Sequence, residues 1–199
     1  HLREDRRHIR DDDLKKIKNK IRIPLNLEMA PTNAMMNIAL KHKPDFVCIV
    51  PEKRQEITTE GGLNVKKDSQ NIKKIINQLK RKKIKVSLFI EPKISDIRIS
   101  KTLGTDCVEL HTGKFCNLFN KKKNTNLAFS NLLKSAIYAK KIGLDVHAGH
   151  GLTYKSILKS NALMAEDNIF SITYVKDLCK ILFRNFITMH FVFFWIKIS

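Results

Sequence analysis

Short runs of β-forming apolar residues alternate with segments of helical spacing, and this alternation limits the fold more than any other feature of the chain. The runs occupy positions 25–29, 46–50, 85–90, 107–110 and 144–146. Ahead of the first, Asp11, Asp12 and Asp13 supply an N-cap and an anionic first turn for a helix carrying Leu14, Ile17 and Ile21 on one face. Thr32, just after Pro31, caps a second helix with Met35, Ile38 and Ala39 inward. Asp68 or Ser69 starts a third, in which Ile72, Ile75, Ile76 and Leu79 keep i, i+3, i+4, i+7 spacing. A fourth covers about 126–142, with Phe129, Leu132, Leu133, Ala136 and Ile137 inward and Gly143 as its left-handed stop. Strands and helices that alternate in this way pair in parallel through right-handed crossovers. No low-complexity linker interrupts the pattern, so residues 1–199 read as a single α/β domain.

Polar residues follow the apolar body of each run, at its C-terminal end. Glu28 closes the first, Glu52 with Lys53 and Arg54 follows the second, and Glu91 follows the third. Glu109, His111 and Gly113 close the fourth, and His147, Gly149, His150 and Gly151 the fifth. His1, Arg3 and Glu4 would close a strand whose body lies before residue 1. In a parallel α/β sheet or barrel these ends converge on one face, where active sites are built. A cleft of Glu, His, Arg and Lys suits proton transfer on anionic substrates. Within it, Glu28, Glu109 and His150 read as functional, whereas His111 and His147 read as packing or supporting residues. The glycine-bearing loop from Thr58 to Gly62 either wraps a phosphate or simply turns.

The net charge of +19 raises the question of a nucleic-acid partner. The basic residues are 29 Lys against 9 Arg, spread along the chain without aromatic interleaving. Sequence-reading proteins favour arginine forks, and single-strand binders need stacking rings. The lysine runs at 80–85 and 121–123 therefore read as solvated faces, and no nucleic-acid partner is expected. Cys48, Cys107, Cys116 and Cys179 form no C-x-x-C pair, which fits a reducing, cytoplasmic setting. The apolar stretch 186–196 is shorter than the roughly 20 residues of a membrane span, and no secretory signal opens the chain, so no membrane association is expected.

Several blocks together resemble one family. They are His1-Leu2-Arg3-Glu4-Asp5-Arg6-Arg7-His8-Ile9, Leu25-Asn26-Leu27-Glu28-Met29-Ala30, Val50-Pro51-Glu52-Lys53-Arg54-Gln55-Glu56 and Thr58-Thr59-Glu60-Gly61-Gly62-Leu63. Val86-Ser87-Leu88-Phe89-Ile90, Glu109-Leu110-His111-Thr112-Gly113 and Ala148-Gly149-His150-Gly151-Leu152-Thr153-Tyr154 continue the series. Their order and spacing resemble the pyridoxine 5′-phosphate synthase family across residues 1 to about 156. The resemblance implies a parallel (β/α)8 TIM-type barrel that condenses 3-amino-2-oxopropyl phosphate with 1-deoxy-D-xylulose 5-phosphate. The products are pyridoxine 5′-phosphate, phosphate and water, a step of vitamin B6 biosynthesis. It also implies a homo-octamer that needs neither metal nor organic cofactor. Carried over by residue, His1 is similar to the proton acceptor, Glu28 to a second acid/base and His150 to the proton donor. Glu109 is similar to the carboxylate that stabilises the transition state, and Arg3, His8, Thr58 and Gly151 match substrate-binding positions.

The chain departs from the family pattern in places. The family's first strand, bearing Asn-x-Asp-His, has no counterpart from residue 1 onward, so the barrel is expected to be incomplete. His147 stands where the family has Asn, and the resemblance fades after about Asn161, leaving 162–199 without an expected structure. Asn168-Ile169-Phe170-Ser171 is the nearest analogue of the family's last-strand Asn-Ile-Gly-His. Three other readings stay open: an inactive remnant of that enzyme, a barrel metallohydrolase using Glu28, Glu109, His111, His147 and His150, and a basic nucleic-acid-binding module.

Overall fold

The two faces of each strand have opposite characters, and that difference organises the architecture. The structure is a computed structural model that describes residues 1–52, 61–153 and 155–156. Among these, strands β1 (Asn26–Met29), β2 (Phe46–Ile49), β3 (Lys85–Ile90), β4 (Cys107–His111) and β5 (Asp145–Gly149) form a five-stranded parallel sheet in sequential order. The helices are α1 (Asp11–Lys20), α2 (Asn33–His42), α3 (Ser69–Arg81), α4 (Ile94–Leu103), α5 (Gly113–Asn120) and α6 (Asn126–Lys141).

On the outer face Leu27, Met29, Val47, Ile49, Val86, Leu88, Ile90, Val108, Leu110 and Val146 belong to one buried core with residues of α1, α2, α3, α4 and α6. Helix α3 shows the logic most plainly: Ile72, Ile75, Ile76 and Leu79 are all fully buried, as their spacing predicts. The register pairs Glu28 with Cys48, Cys48 with Ser87 and Ser87 with Cys107, so these residues share the inner face. Phe89, Glu109 and His147 continue that face toward the C-terminal ends. Strands in sequential order with one helix-covered face describe a sheet that curls as a (β/α) barrel does rather than a doubly wound sheet. The described sheet is open and holds five of the eight strands a complete barrel would have. On the β1 side, the Leu2 N–H donates to the Glu28 carbonyl at 3.2 Å, setting residues 1–3 beside the strand end as expected.

Local expectations fare unevenly. Thr32 caps α2, accepting from the Met35 N–H at 3.4 Å, and Gly143 (φ +73°) follows α6. The N-cap of α1 is Arg10 rather than an aspartate. Asp13 reaches back to accept from the Arg10 N–H at 3.0 Å, and Asp11 pairs with Arg6 at 2.7 Å. Ile17 and Ile137, expected inward, are 37% and 41% exposed. Helix α1 packs on α2 through Leu14, and α6 seats its small residues Ser135, Ala136 and Ala139, turning Ile137 outward. The lysines at 82, 83 and 121–123 are exposed, as expected of solvated faces. No described helix is long and apolar enough to cross a membrane.

Leu79→Ala should lower stability by about 2–5 kcal/mol through lost transfer energy and a cavity, and Ile137→Ala by less than about 1 kcal/mol. Urea unfolding of both variants checks this; equal losses would contradict the assignment of the buried faces.

Candidate functional site

The inner face carries its polar residues toward the C-terminal ends of the strands, where five loops and the first residues of the chain meet. Glu28 at the end of β1 is buried, with its Oε2 3.6 Å from His1 Nδ1. His1 Nε2 lies 3.4 Å from Glu52 Oε2, just past β2. The other oxygen of Glu52 accepts from the Glu4 N–H at 2.9 Å and stands 3.8 Å from Arg3 Nε. Arg3 is itself buried and also faces Asp5 at 3.6 Å. One carboxylate thus holds both the imidazole and the guanidinium of the opening segment.

Across the site, Glu109 on β4 receives Cys48 Sγ at 3.6 Å and lies 3.6 Å from His150 Nδ1. Gly149 makes room for this carboxylate, since a Cβ there would collide with Glu109 Oε1. The His150 ring packs on Phe89, with centroids 4.1 Å apart, and its backbone is left-handed at φ +73°. A non-glycine residue held in that region costs on the order of 1–3 kcal/mol, a strain that recurs at functional sites. His111 is drawn the other way: its Nδ1 pairs with Glu91 Oε1 at 2.9 Å, and the same oxygen accepts from the Gly62 N–H at 2.9 Å. Glu91 thereby ties the return of the β2–α3 loop to the end of β4, and a Cβ on Gly62 would run into the backbone of Ile90 and Glu91.

The candidate residues do not all gather at this point. His1, Glu28, Glu109, His150 and Arg3 come together at the strand ends, and Gly151 (φ +82°) lies beside them on the loop after β5. His8 is exposed in the segment leading to α1, and Thr58 lies outside the described residues. His147 is buried on β5, paired in register with Glu109. Among the described residues no three His, Cys, Asp or Glu side chains form a group that could hold a metal ion, so the metallohydrolase reading finds no ligand set there. Glu52, Cys48 and Thr112 are parts of the arrangement that sequence reasoning did not select.

The electrostatics separate the carboxylates. Burial raises the Glu28 carboxyl above its ordinary value of 4.5, and the negative charge of Glu109 raises it further, against the pull of the N-terminal amine and His150. For Glu91, partial burial pushes upward, but the hydrogen bonds from His111 and the Gly62 N–H outweigh it and leave the carboxyl below 4.5. Burial pushes the Cys107 thiol up to about 12 and the Cys48 thiol well above 9.0, so both remain S–H groups near neutrality.

These opposite shifts have opposite consequences for stability. The native state holds a proton on Glu28 that the unfolded chain releases near 4.5, so this group's contribution is lost as pH rises from 4.5 through the raised value. Glu91 stabilises above 4.5, and its contribution is lost as pH falls through the lowered value. In urea unfolding across this range, Glu28→Gln should gain stability relative to the parent chain as pH rises, and Glu91→Gln should lose it. Parallel pH profiles for all three chains would contradict the assignment.

The family described as "Pyridoxal phosphate biosynthesis protein PdxJ" matches residues 1–172, which carries the match past Asn161. A protein of Pelagibacter ubique named pyridoxine 5′-phosphate synthase is 49% identical over 171 residues, covering 85% of this chain and 72% of that protein. Its namesake in Ehrlichia chaffeensis is 51% identical over 156 residues, covering 78% of this chain and 63% of the relative. The one in Hydrogenobaculum is 47% identical over 174 residues, covering 85% of this chain and 72% of the relative. The chain thus spans between 63% and 72% of the length of these relatives. With an open parallel sheet whose strand ends carry the matching blocks, the chain belongs to the PdxJ family of pyridoxal phosphate biosynthesis proteins.

Proposed function

We propose that this chain acts as a pyridoxine 5′-phosphate synthase, condensing 3-amino-2-oxopropyl phosphate with 1-deoxy-D-xylulose 5-phosphate. Pyridoxine 5′-phosphate, phosphate and water are released. The observation that carries this reading is the meeting of two His–Glu pairs, His1 with Glu28 and His150 with Glu109, each at 3.6 Å at the strand ends. The relatives named for this activity support it.

The chemistry matches these groups. Attack of an amine on a ketone, loss of water and ring closure each require a proton to be taken from one atom and given to another. Glu28, raised by burial and by Glu109, accepts and returns protons closer to neutrality than an ordinary carboxylate does. His1, bracketed by Glu28 and Glu52, is the proton acceptor in this reading. His150 is the donor, with its Nδ1 toward Glu109 and its Nε2 left for the substrate. Glu109 stabilises cationic character that develops during dehydration. Arg3 offers a cationic fork to a phosphate, with His8, Thr58 and Gly151 as further substrate contacts. Free buried thiols at Cys48, Cys107 and Cys116 agree with work in a reducing cytoplasm, and the family resemblance supports an octameric assembly.

Incubation of the purified chain with both phosphorylated substrates should give pyridoxine 5′-phosphate by mass spectrometry. Binding of either substrate without product would favour the inactive-remnant reading instead. In the same assay Glu28→Gln and His150→Asn should each lower kcat by about 100- to 10,000-fold while leaving circular dichroism unchanged. A near-parental rate in either variant would mean that the proton-transfer roles are misassigned.

A further inference from the structure

The Gly149–His150–Gly151 segment holds a non-glycine residue at positive φ, so something must keep it there. Thr112 stands between the end of β4 and the start of α5 and is 3% exposed. Its backbone N–H donates to the Gly149 carbonyl at 3.0 Å. Its hydroxyl points at two acceptors, the Gly149 carbonyl at 2.7 Å and the His150 carbonyl at 2.6 Å. Those carbonyls belong to the two peptide units that flank the His150 Cα, so one hydroxyl proton shared between them pins the backbone on both sides of His150.

Helix α5 completes the seat. Cys116, one turn along, directs its thiol to Thr112 Oγ1 at 3.6 Å and donates its own N–H to the Thr112 carbonyl at 3.0 Å. Burial keeps that thiol protonated and therefore a donor, leaving the Thr112 proton for the two carbonyls. A Cβ on Gly151 would come within 3.3 Å of Cys116 Cβ, so the loop lies directly on this helix turn. With its backbone fixed from this side, the His150 ring has one place to go, against Phe89 and toward Glu109.

We propose that Thr112 is a positioning residue for His150, its buried hydroxyl fixing the left-handed backbone that aims the imidazole into the site. The inference rests on the reading of His150 as proton donor. Thr112 itself touches no reacting atom. Its backbone hydrogen bonds to Gly149 and Cys116 are independent of the hydroxyl, so an isosteric change of side chain releases His150 without dismantling β4 or α5.

The test compares Thr112→Val, Thr112→Ser and His150→Asn in the full chain. It uses the kinetics of the condensation and, without substrate, the NMR position of the His150 Cε1–Hε1 resonance. Thr112→Val should move that resonance and lower kcat by about 100-fold, the cost of a misplacement of about 1 Å, with KM changed by less than about threefold. Thr112→Ser, which keeps the hydroxyl, should restore both. If valine disturbs the fold by circular dichroism, Thr112→Ala removes the same hydroxyl without β-branching and is read in its place. An unmoved resonance in the hydroxyl-free variant, or failure of serine to restore it, would overturn the positioning role. A His150→Asn chain with full activity would overturn the proton-donor reading instead. The resonance shift is read without turnover, so the two failures are separable.

Discussion

The parallel register of β1 through β4 is the constraint on which the rest of the molecule depends. It sets Glu28 beside Cys48, Cys48 beside Ser87 and Ser87 beside Cys107, and with the same parity it sets Phe89 beside Glu109. A slip of one residue in any strand would exchange its faces, turning Leu and Val inward and carboxylates out under the helices. The apolar outer face, sealed by Ile72, Ile75, Ile76 and Leu79 of α3 among others, makes such a slip costly. The core on one side therefore specifies the chemistry on the other. The hydrophobic effect stabilises the helix-covered face, and the inner face is free to carry groups that a core would reject.

Burying those groups is itself expensive, and their partners decide where protons reside. Isolated charges in such surroundings would neutralise, whereas paired ones persist. Glu52 faces His1 and Arg3 and takes the Glu4 N–H, while Glu91 takes His111 and the Gly62 N–H. Glu28 and Glu109 stand close enough for the charge of one to hold a proton on the other. Four carboxylates around one set of strand ends thus do different work. Glu52 and Glu91 tie chain segments together around the strand ends, and Glu28 and Glu109 each face a histidine.

Much of this was legible in the sequence because it is periodic or positional. The apolar runs located all five described strands to within a few residues, and the spacing in α3 named its buried face without error. That Glu28, Glu109 and His150 lie together was legible because polar residues at the C-terminal ends of parallel strands converge whatever the details of packing. What depended on contacts across the fold was not legible. Glu52 was placed at a strand end with Lys53 and Arg54, but its hold on His1 and Arg3 depends on contacts that spacing does not reveal. Nothing in the spacing around Thr112 marks it, yet its hydroxyl grips a segment 37 and 38 positions away. Helices α4 and α5 escaped because their apolar residues are sparse or fall within short stretches. Ile17 and Ile137 failed for the opposite reason: helical spacing identifies a stripe, and neighbouring elements decide how much of it they cover. The charge of +19 was readable as a solvated surface because lysine dominates it, and the lysines at 82, 83 and 121–123 are exposed while Arg3 is buried at the strand ends.

The central claim is that the strand ends of this sheet form a single substrate-binding face. Backbone amide NMR of the full chain, titrated with 1-deoxy-D-xylulose 5-phosphate, tests it most directly. The account predicts saturable shifts concentrated at residues 1–4, Glu28, Glu52, residues 109–113 and residues 149–151. Shifts confined to the opposite ends of the strands, or to the surface groove beside Asp11, Lys15, Lys41 and His42, would contradict it.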